Sequence, residues 1–215
     1  MSSSLPRVIR AEHAFAATVT SSLPPPTLSE FAFAGRSNVG KSSLLNTLVE
    51  RKQLVRTGGT PGTTRQINFF LTHFADGFEA YLVDLPGYGY AKRSKAEKAA
   101  WGELIEAYLT SRPTLRAVVL LVDVRRGIED DDQQLIDFLA REPAVPRPRV
   151  PVIVAATKLD KLAASARKPA VARIARSSEL PVIGFSSVTG EGREALWRAL
   201  RRYALGEATK PSAES

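Results

Sequence analysis

Apolar and polar positions along this chain of 215 residues fall into short runs of two kinds. Residues 31–34, 117–122 and 150–156 are almost unbroken apolar stretches, the form taken by strands covered on both faces of a parallel sheet. Residues 67–74 and 78–84 read as two strands joined at Asp76-Gly77, a strong hairpin signal, which sets one antiparallel edge strand into the sheet. A last short strand covers 181–186. Between these runs the apolar residues recur at helical spacing: 40–50, 95–110 (with Trp101, Leu104, Ile105, Tyr108 and Leu109 on one face), 130–141, 165–178 and 191–205. Six strands alternating with five helices predict an α/β domain, a doubly wound, mostly parallel six-stranded sheet with helices on both faces.

The ends of the chain break this pattern. Residues 1–26 open with Ser2-Ser3-Ser4 and close on Pro24-Pro25-Pro26, and read as an N-terminal extension whose Val8, Phe15 and Val19 can dock on the body. The domain proper spans 27–205, and 206–215 is a polar tail. Residues 51–65, with Gly58-Gly59, read as a loop able to move, and 142–149 as a proline-interrupted loop. There is no internal repeat.

Bulk composition narrows the function classes. Apolar content of 44% suits a soluble globular domain, and no stretch approaches the ~18 apolar residues of a membrane span. Met1 to Arg10 lacks the apolar core of a secretory signal. Cysteine is absent, so there is no disulfide framework and no thiolate metal site, which suits the cytoplasm. A net charge of +8 and a pI near 10.0 favour a polyanionic partner, and arginine carries most of the excess.

Chemistry concentrates in the loops that follow the strands. Gly35-Arg36-Ser37-Asn38-Val39-Gly40-Lys41-Ser42-Ser43 leaves an apolar strand and enters a leucine-rich helix, the context a phosphate-binding loop requires. Gly35 and Gly40 let the backbone curl around a phosphate, Lys41 offers a point charge, and Ser42 can place its hydroxyl on magnesium. Asp84-Leu85-Pro86-Gly87 ends the hairpin. There Asp84 can hold the magnesium through a water, and the Gly87 N–H can approach a γ-phosphate. Thr60-Pro61-Gly62-Thr63-Thr64-Arg65-Gln66 lies in the polar loop, where Thr64 can complete the magnesium shell while the γ-phosphate is present. Thr157-Lys158-Leu159-Asp160 decides the base. The Asp160 carboxylate can accept from the N1–H and amino group of guanine, donors that adenine lacks, and Lys158 can lay its stem over the ring. Phe185-Ser186-Ser187 ends the last strand, where main-chain N–H groups can meet the guanine O6.

In this order the motifs resemble those of the translation-factor-related P-loop GTPases. Thr-Pro-Gly-Thr-Thr-Arg-Gln-Ile-Asn-Phe-Phe, Asp-Leu-Pro-Gly-Tyr-Gly-Tyr-Ala and Phe-Ser-Ser are similar to the EngB (YihA/YsxC) group of bacterial ribosome-biogenesis GTPases, over about residues 27–205. The resemblance implies a P-loop GTPase fold, GTP or GDP bound with Mg2+, and a partner in the large ribosomal subunit precursor, both rRNA and ribosomal proteins. It also implies a role in cell division and septation. A monomer is expected. GTP would order residues 56–65 and 87–95 and present a docking surface. Basic stretches at Arg51-Lys52, Lys92-Arg93-Ser94-Lys95, Arg125-Arg126, 147–149 and 198–202 could meet phosphates.

Two positions depart from their relatives. Arg65 stands where the family has glutamine, and could face phosphate, RNA or solvent. Tyr88 follows the Asp-x-x-Gly where Ras-like enzymes keep a water-positioning glutamine, so unstimulated hydrolysis is expected at or below roughly 10⁻³ s⁻¹. Asn38 is a candidate ligand for potassium, as in several related GTPases. Two other readings compete: a nucleotide kinase, against which Asp160 argues, and a division or signalling switch acting through a protein partner without RNA.

Overall fold

A computed structural model of the protein describes residues 6–51, 53–55, 66–88, 95–141 and 149–206. Among them seven strands form one sheet: β1 (Val8–Ala17), β2 (Ser29–Gly35), β3 (Ile67–Phe74), β4 (Glu79–Asp84), β5 (Leu115–Asp123), β6 (Val152–Thr157) and β7 (Val182–Gly184). Five α-helices connect them: α1 (Lys41–Leu48), α2 (Lys95–Ser111), α3 (Asp130–Ala140), α4 (Ala164–Ser178) and α5 (Arg193–Ala204). The strand order is β1-β3-β4-β2-β5-β6-β7. β2 pairs in parallel with β4 and β5, and β3 runs antiparallel to both β4 and β1.

The central strands are apolar because they have no wet face. β5 buries every residue except Arg116, and β2 is buried from Glu30 to Gly35. On one face, Leu44, Leu45 and Leu48 of α1 and Leu196, Trp197 and Leu200 of α5 pack on Phe31, Phe33 and Leu82. On the other, α2 and α3 cover Val83, Tyr81 and Val118, and α4 covers Val154 and Ala156 with Ala170 and Ile174. The Trp197 indole N–H donates to the Leu48 carbonyl at 2.8 Å and ties α5 to the end of α1.

The sheet has one strand more than the sequence predicts. Within the N-terminal extension, Val8–Ala17 pairs along β3 with register shifts at Val8/Arg10 and His13/Phe15. Those bulges break the period-2 alternation by which a strand is recognised. Glu30 lies in β2, one residue before the apolar run 31–34. It is fully buried and accepts from the Arg112 guanidinium (2.9 Å to each oxygen), the Tyr108 hydroxyl (2.9 Å) and the Thr114 hydroxyl (2.7 Å). This network anchors the C-terminal end of α2 to the start of β2. No helix among the described residues is long and apolar enough to cross a membrane.

β2 is the strand at which the connections change direction, with β3 and β4 on one side and β5 to β7 on the other. In open α/β sheets the ligand crevice opens beyond the carboxyl end of such a strand.

Candidate functional site

The chain leaves β2 at Gly35 and must turn at once, because β5 lies close alongside. A Cβ at Gly35 would stand 3.0 Å from the Leu121 carbonyl oxygen and 3.0 Å from Val39 Cγ1. Asn38 (φ 64°) and Gly40 (φ 106°) both take the left-handed conformation, which brings the loop round to the start of α1. No side chain caps α1, so its first-turn amides are free for an anion. Ser42 and Ser43 occupy that turn. The Lys41 ammonium is paired with Asp84 Oδ1, and both side chains are largely buried.

Asp84 ends β4 immediately beside β2. The next residue, Leu85, is held by its N–H to the Phe33 carbonyl at 3.0 Å, and Pro86 is buried with it. A Cβ at Gly87 would meet Ser37 Oγ at 3.2 Å, so this turn lies against the phosphate loop. Arg36 and Tyr88 form a parallel β-bridge, with the Ser37 N–H donating to the Tyr88 carbonyl at 3.2 Å. The Tyr88 phenol points to α3, where it donates to Asp132 Oδ1 at 2.7 Å; the other oxygen of Asp132 accepts from the Glu129 N–H at 3.0 Å. Burial pushes both groups up, Tyr88 with added repulsion from Asp132, so the phenol keeps its proton and acts as donor. Arg36 is paired with Glu129. Arg36, Asn38, Tyr88, Asp123, Glu129 and Lys158 help line a cavity of about 310 Å³ here.

Of the predicted switch-loop residues, Gly62, Thr63, Thr64 and Arg65 lie outside the described residues. Gln66 is described, and its amide donates to Asn68 Oδ1 at 2.9 Å. Asn68 lies directly opposite Asp84 across the β3–β4 pair. On the other flank of the loop, the Asn46 amide and carbonyl bond both main-chain groups of Val55 at 2.8 Å.

The residues expected from sequence to read the base come together at the ends of β6 and β7. Thr157 is buried, with its hydroxyl 2.7 Å from the Val39 carbonyl and 3.1 Å from the Val122 carbonyl, and so bolts the phosphate loop to β6. The Lys158 ammonium donates to the Asn38 carbonyl at 2.9 Å and lies 3.2 Å from Asp123. Its alkyl stem therefore spans from the end of β6 to the phosphate loop. Arg125, first among several partners, holds the Asp123 carboxyl well below the usual range. Asp160 Oδ1 accepts from the Ser186 hydroxyl at 2.8 Å, and this bond, more than any other contact, lowers its pKa. Asp160 is thus an ionised, acceptor-only group at neutral pH. Ser186 Oγ in turn accepts from the Val188 and Thr189 N–H groups at 3.2 Å each. Leu159 is buried, and its N–H donates to the Phe185 carbonyl at 3.1 Å. The Phe185 ring is wholly in the core, so that residue reaches the site through its main chain alone. The Ser187 carbonyl accepts from the Thr47 hydroxyl at 3.4 Å.

Four loops predicted from sequence therefore meet at one edge of the sheet. Sequence reasoning passed over Asp132 and Asp123. Asp123 had a usable signal, since it ends a strand on the ligand side; Asp132 had none beyond a run of three aspartates.

Comparisons with known proteins agree with this geometry. Residues 30–158 match the family model described as 50S ribosome-binding GTPase. The chain is 48% identical over 184 residues to a probable GTP-binding protein EngB of Exiguobacterium sibiricum, covering 84% of this chain and 90% of that protein. Against the protein of the same description from Geobacter metallireducens it is 45% identical over 194 residues, 89% of this chain and 90% of the other. A crystal structure of a probable GTP-binding protein engB superposes with a TM-score of 0.61 at 25% identity, covering 83% of this chain and 100% of that one.

Proposed function

This chain belongs to the EngB family of GTP-binding proteins, and we propose that its GTP site gates docking on the large ribosomal subunit during assembly of that particle. It binds and hydrolyses GTP, as its family does. The ribosomal partner is supported by the description of the matched family as 50S ribosome-binding, and by a net charge of +8 suited to RNA. A requirement in cell division would follow from ribosome supply in the cytoplasm.

In this reading the loop 35–43 and Lys41 hold the phosphates, while Asp160 and Lys158 read the guanine. Ser42, Asp84 (through water) and Thr64 supply the oxygen donors for Mg2+. Such a donor set suits this hard cation, which binds one or two carboxylates together with nucleotide phosphates. Once bound, Mg2+ neutralises charge on the phosphates.

The observation that carries the gate is the Lys41–Asp84 pair. A nucleotide phosphate competes for Lys41, and separating the pair frees Asp84, which ends β4 and leads directly to the turn at Gly87 and Tyr88. The bond from Tyr88 to Asp132 leaves no side chain at position 88 to orient an attacking water, so unstimulated turnover is slow, at or below roughly 10⁻³ s⁻¹. Asn38 is exposed, and its carboxamide has no hydrogen-bond partner among the described residues, leaving it open to a potassium ion.

Co-sedimentation with large ribosomal subunits tests the gate. Binding with a non-hydrolysable GTP analogue should be about 5- to 150-fold tighter than with GDP, the usual span of an allosteric coupling. Equal binding in both states would overturn it.

A further inference from the structure

Among the described residues of the basic stretches conspicuous in the sequence, four arginines are neutralised by carboxylates. Arg125 is paired with Asp123, Arg126 with Glu129, Arg198 with Glu194 and Arg201 with Asp76. Helix α4 is different. Its 15 residues carry four basic and no acidic side chains, half of the net charge of the whole chain. Arg167 turns inward, to Glu191 at 3.0 Å and to the Leu162 carbonyl at 3.2 Å. Lys168, Arg173 and Arg176 are exposed and have no carboxylate partner among the described residues.

These three cations share one face. At 100° per residue they fall within an arc of about 140°, opposite the buried Ala170 and Ile174. Between them on that arc lie Ser165, Pro169 and Ala172, all exposed and all small. A polyanion backbone can therefore come close to the helix and meet charge on both sides. The three span about 12 Å along the axis at 1.5 Å per residue.

We propose that the outer face of α4 is an RNA-docking surface, which holds the ribosomal particle through its phosphodiester backbone by Lys168, Arg173 and Arg176. The identity of the particle rests on the ribosomal reading above; the RNA chemistry rests on α4 itself. Contacts of this kind are read by shape and charge, not by base sequence. The surface is also wired to the nucleotide site. α4 begins four residues after Asp160, and Arg167 ties it to the turns on either side of the base-reading corner.

The test uses the full chain, a short RNA duplex and purified large ribosomal subunits, with binding measured from 50 to 200 mM salt. The variant Lys168→Ala/Arg173→Ala/Arg176→Ala is compared with Arg10→Ala/Arg193→Ala/Arg198→Ala, which removes the same charge from ion-paired positions. Three lost phosphate contacts should reduce the slope of log K against log salt by about 2 to 3 in the α4 variant alone. Wild type then loses about 20- to 40-fold more affinity than that variant across the salt range. GTP hydrolysis and the melting temperature should be unchanged, because these side chains are exposed and no side-chain hydrogen bond or ion pair ties them to another described element. Equal slopes for the two triple variants would overturn the proposal. So would loss of binding to a polyglutamate peptide but not to RNA, which would mark a protein surface. Wild type that binds the duplex through α4 but ignores the ribosomal subunit would support the surface and refute the ribosomal reading.

Discussion

Thr157 offers a direct measure of how far the phosphate loop depends on the end of β6. Its hydroxyl is buried, at 2% exposure, and it carries one proton for two carbonyls, Val39 at 2.7 Å and Val122 at 3.1 Å. Thr157→Val keeps the branched shape that a strand favours and removes only the bond. Leaving the Val39 carbonyl buried and unpaired costs about 1–3 kcal/mol. For a domain of this length, a loss of that size lowers the melting temperature by roughly 2–12 °C. Because Val39 lies within the phosphate loop, the same loss should weaken GDP binding by about 5- to 150-fold if all of it falls on loop order. The assay pairs thermal melting of the free protein with titration of a fluorescent GDP analogue. Thr157→Ser, which keeps the hydroxyl, is the control. Wild-type affinity in Thr157→Val would refute the bolt. Equal damage in the valine and serine variants would refute it too, since the methyl would then be what matters.

Three further outcomes follow from named contacts. The Ser186 hydroxyl holds Asp160 below its ordinary value of 3.8, so the carboxylate stays ionised and guanine selectivity should be flat from pH 8 down to about pH 4; the stability it contributes is present above the unfolded pKa and lost only as pH falls through the lowered folded one. GDP-over-ADP selectivity that already declines at pH 5 would contradict this, and Ser186→Ala should move the decline upward. Arg112→Ala strands the buried Glu30 carboxylate and should cost about 3–5 kcal/mol in urea unfolding, with the GDP affinity of the folded protein unchanged; a loss under about 1 kcal/mol would mean that Glu30 finds other partners. Hydrolysis should be faster in potassium than in equal sodium and lose that difference in Asn38→Ala, whereas equal rates in the wild type would remove the potassium site.

The strands plainest in the sequence were the central ones, covered on both faces. β2, β5 and β6 contain nearly unbroken apolar runs because helices cover the sheet on both faces, so their composition alone announces them. β1 has mixed burial and two register shifts, and its side chains keep neither period for long. The site was legible for a topological reason: in a doubly wound sheet, the loops after successive strands must converge. What stayed hidden were partners far apart in sequence. Tyr88 could be identified as a residue that replaces a glutamine, but its hydrogen bond reaches Asp132, 44 residues on. Glu30 stands just before the apolar run 31–34, and its guanidinium partner is 82 residues away.

Charge shows the same limit in its sharpest form. A run such as Arg125-Arg126 measures density along the chain, whereas a polyanion responds to the field summed in space. Asp123 is two residues from Arg125 and Glu129 is three from Arg126, so much of that field is cancelled locally. In α4 the cations are separated by alanine, proline and isoleucine and form no conspicuous run after Arg167-Lys168. Yet helical geometry gathers three of them on one face, and no acidic residue on the helix answers them. Among the described residues, folding therefore reverses the ranking that sequence density suggests: Arg125-Arg126, Arg198 and Arg201 are spent on intramolecular partners, and the scattered residues of α4 remain available to an external one. If the α4 variant and its charge-matched control prove indistinguishable on RNA, this ranking by unpaired charge is wrong, and total charge alone governs the protein's attraction to RNA.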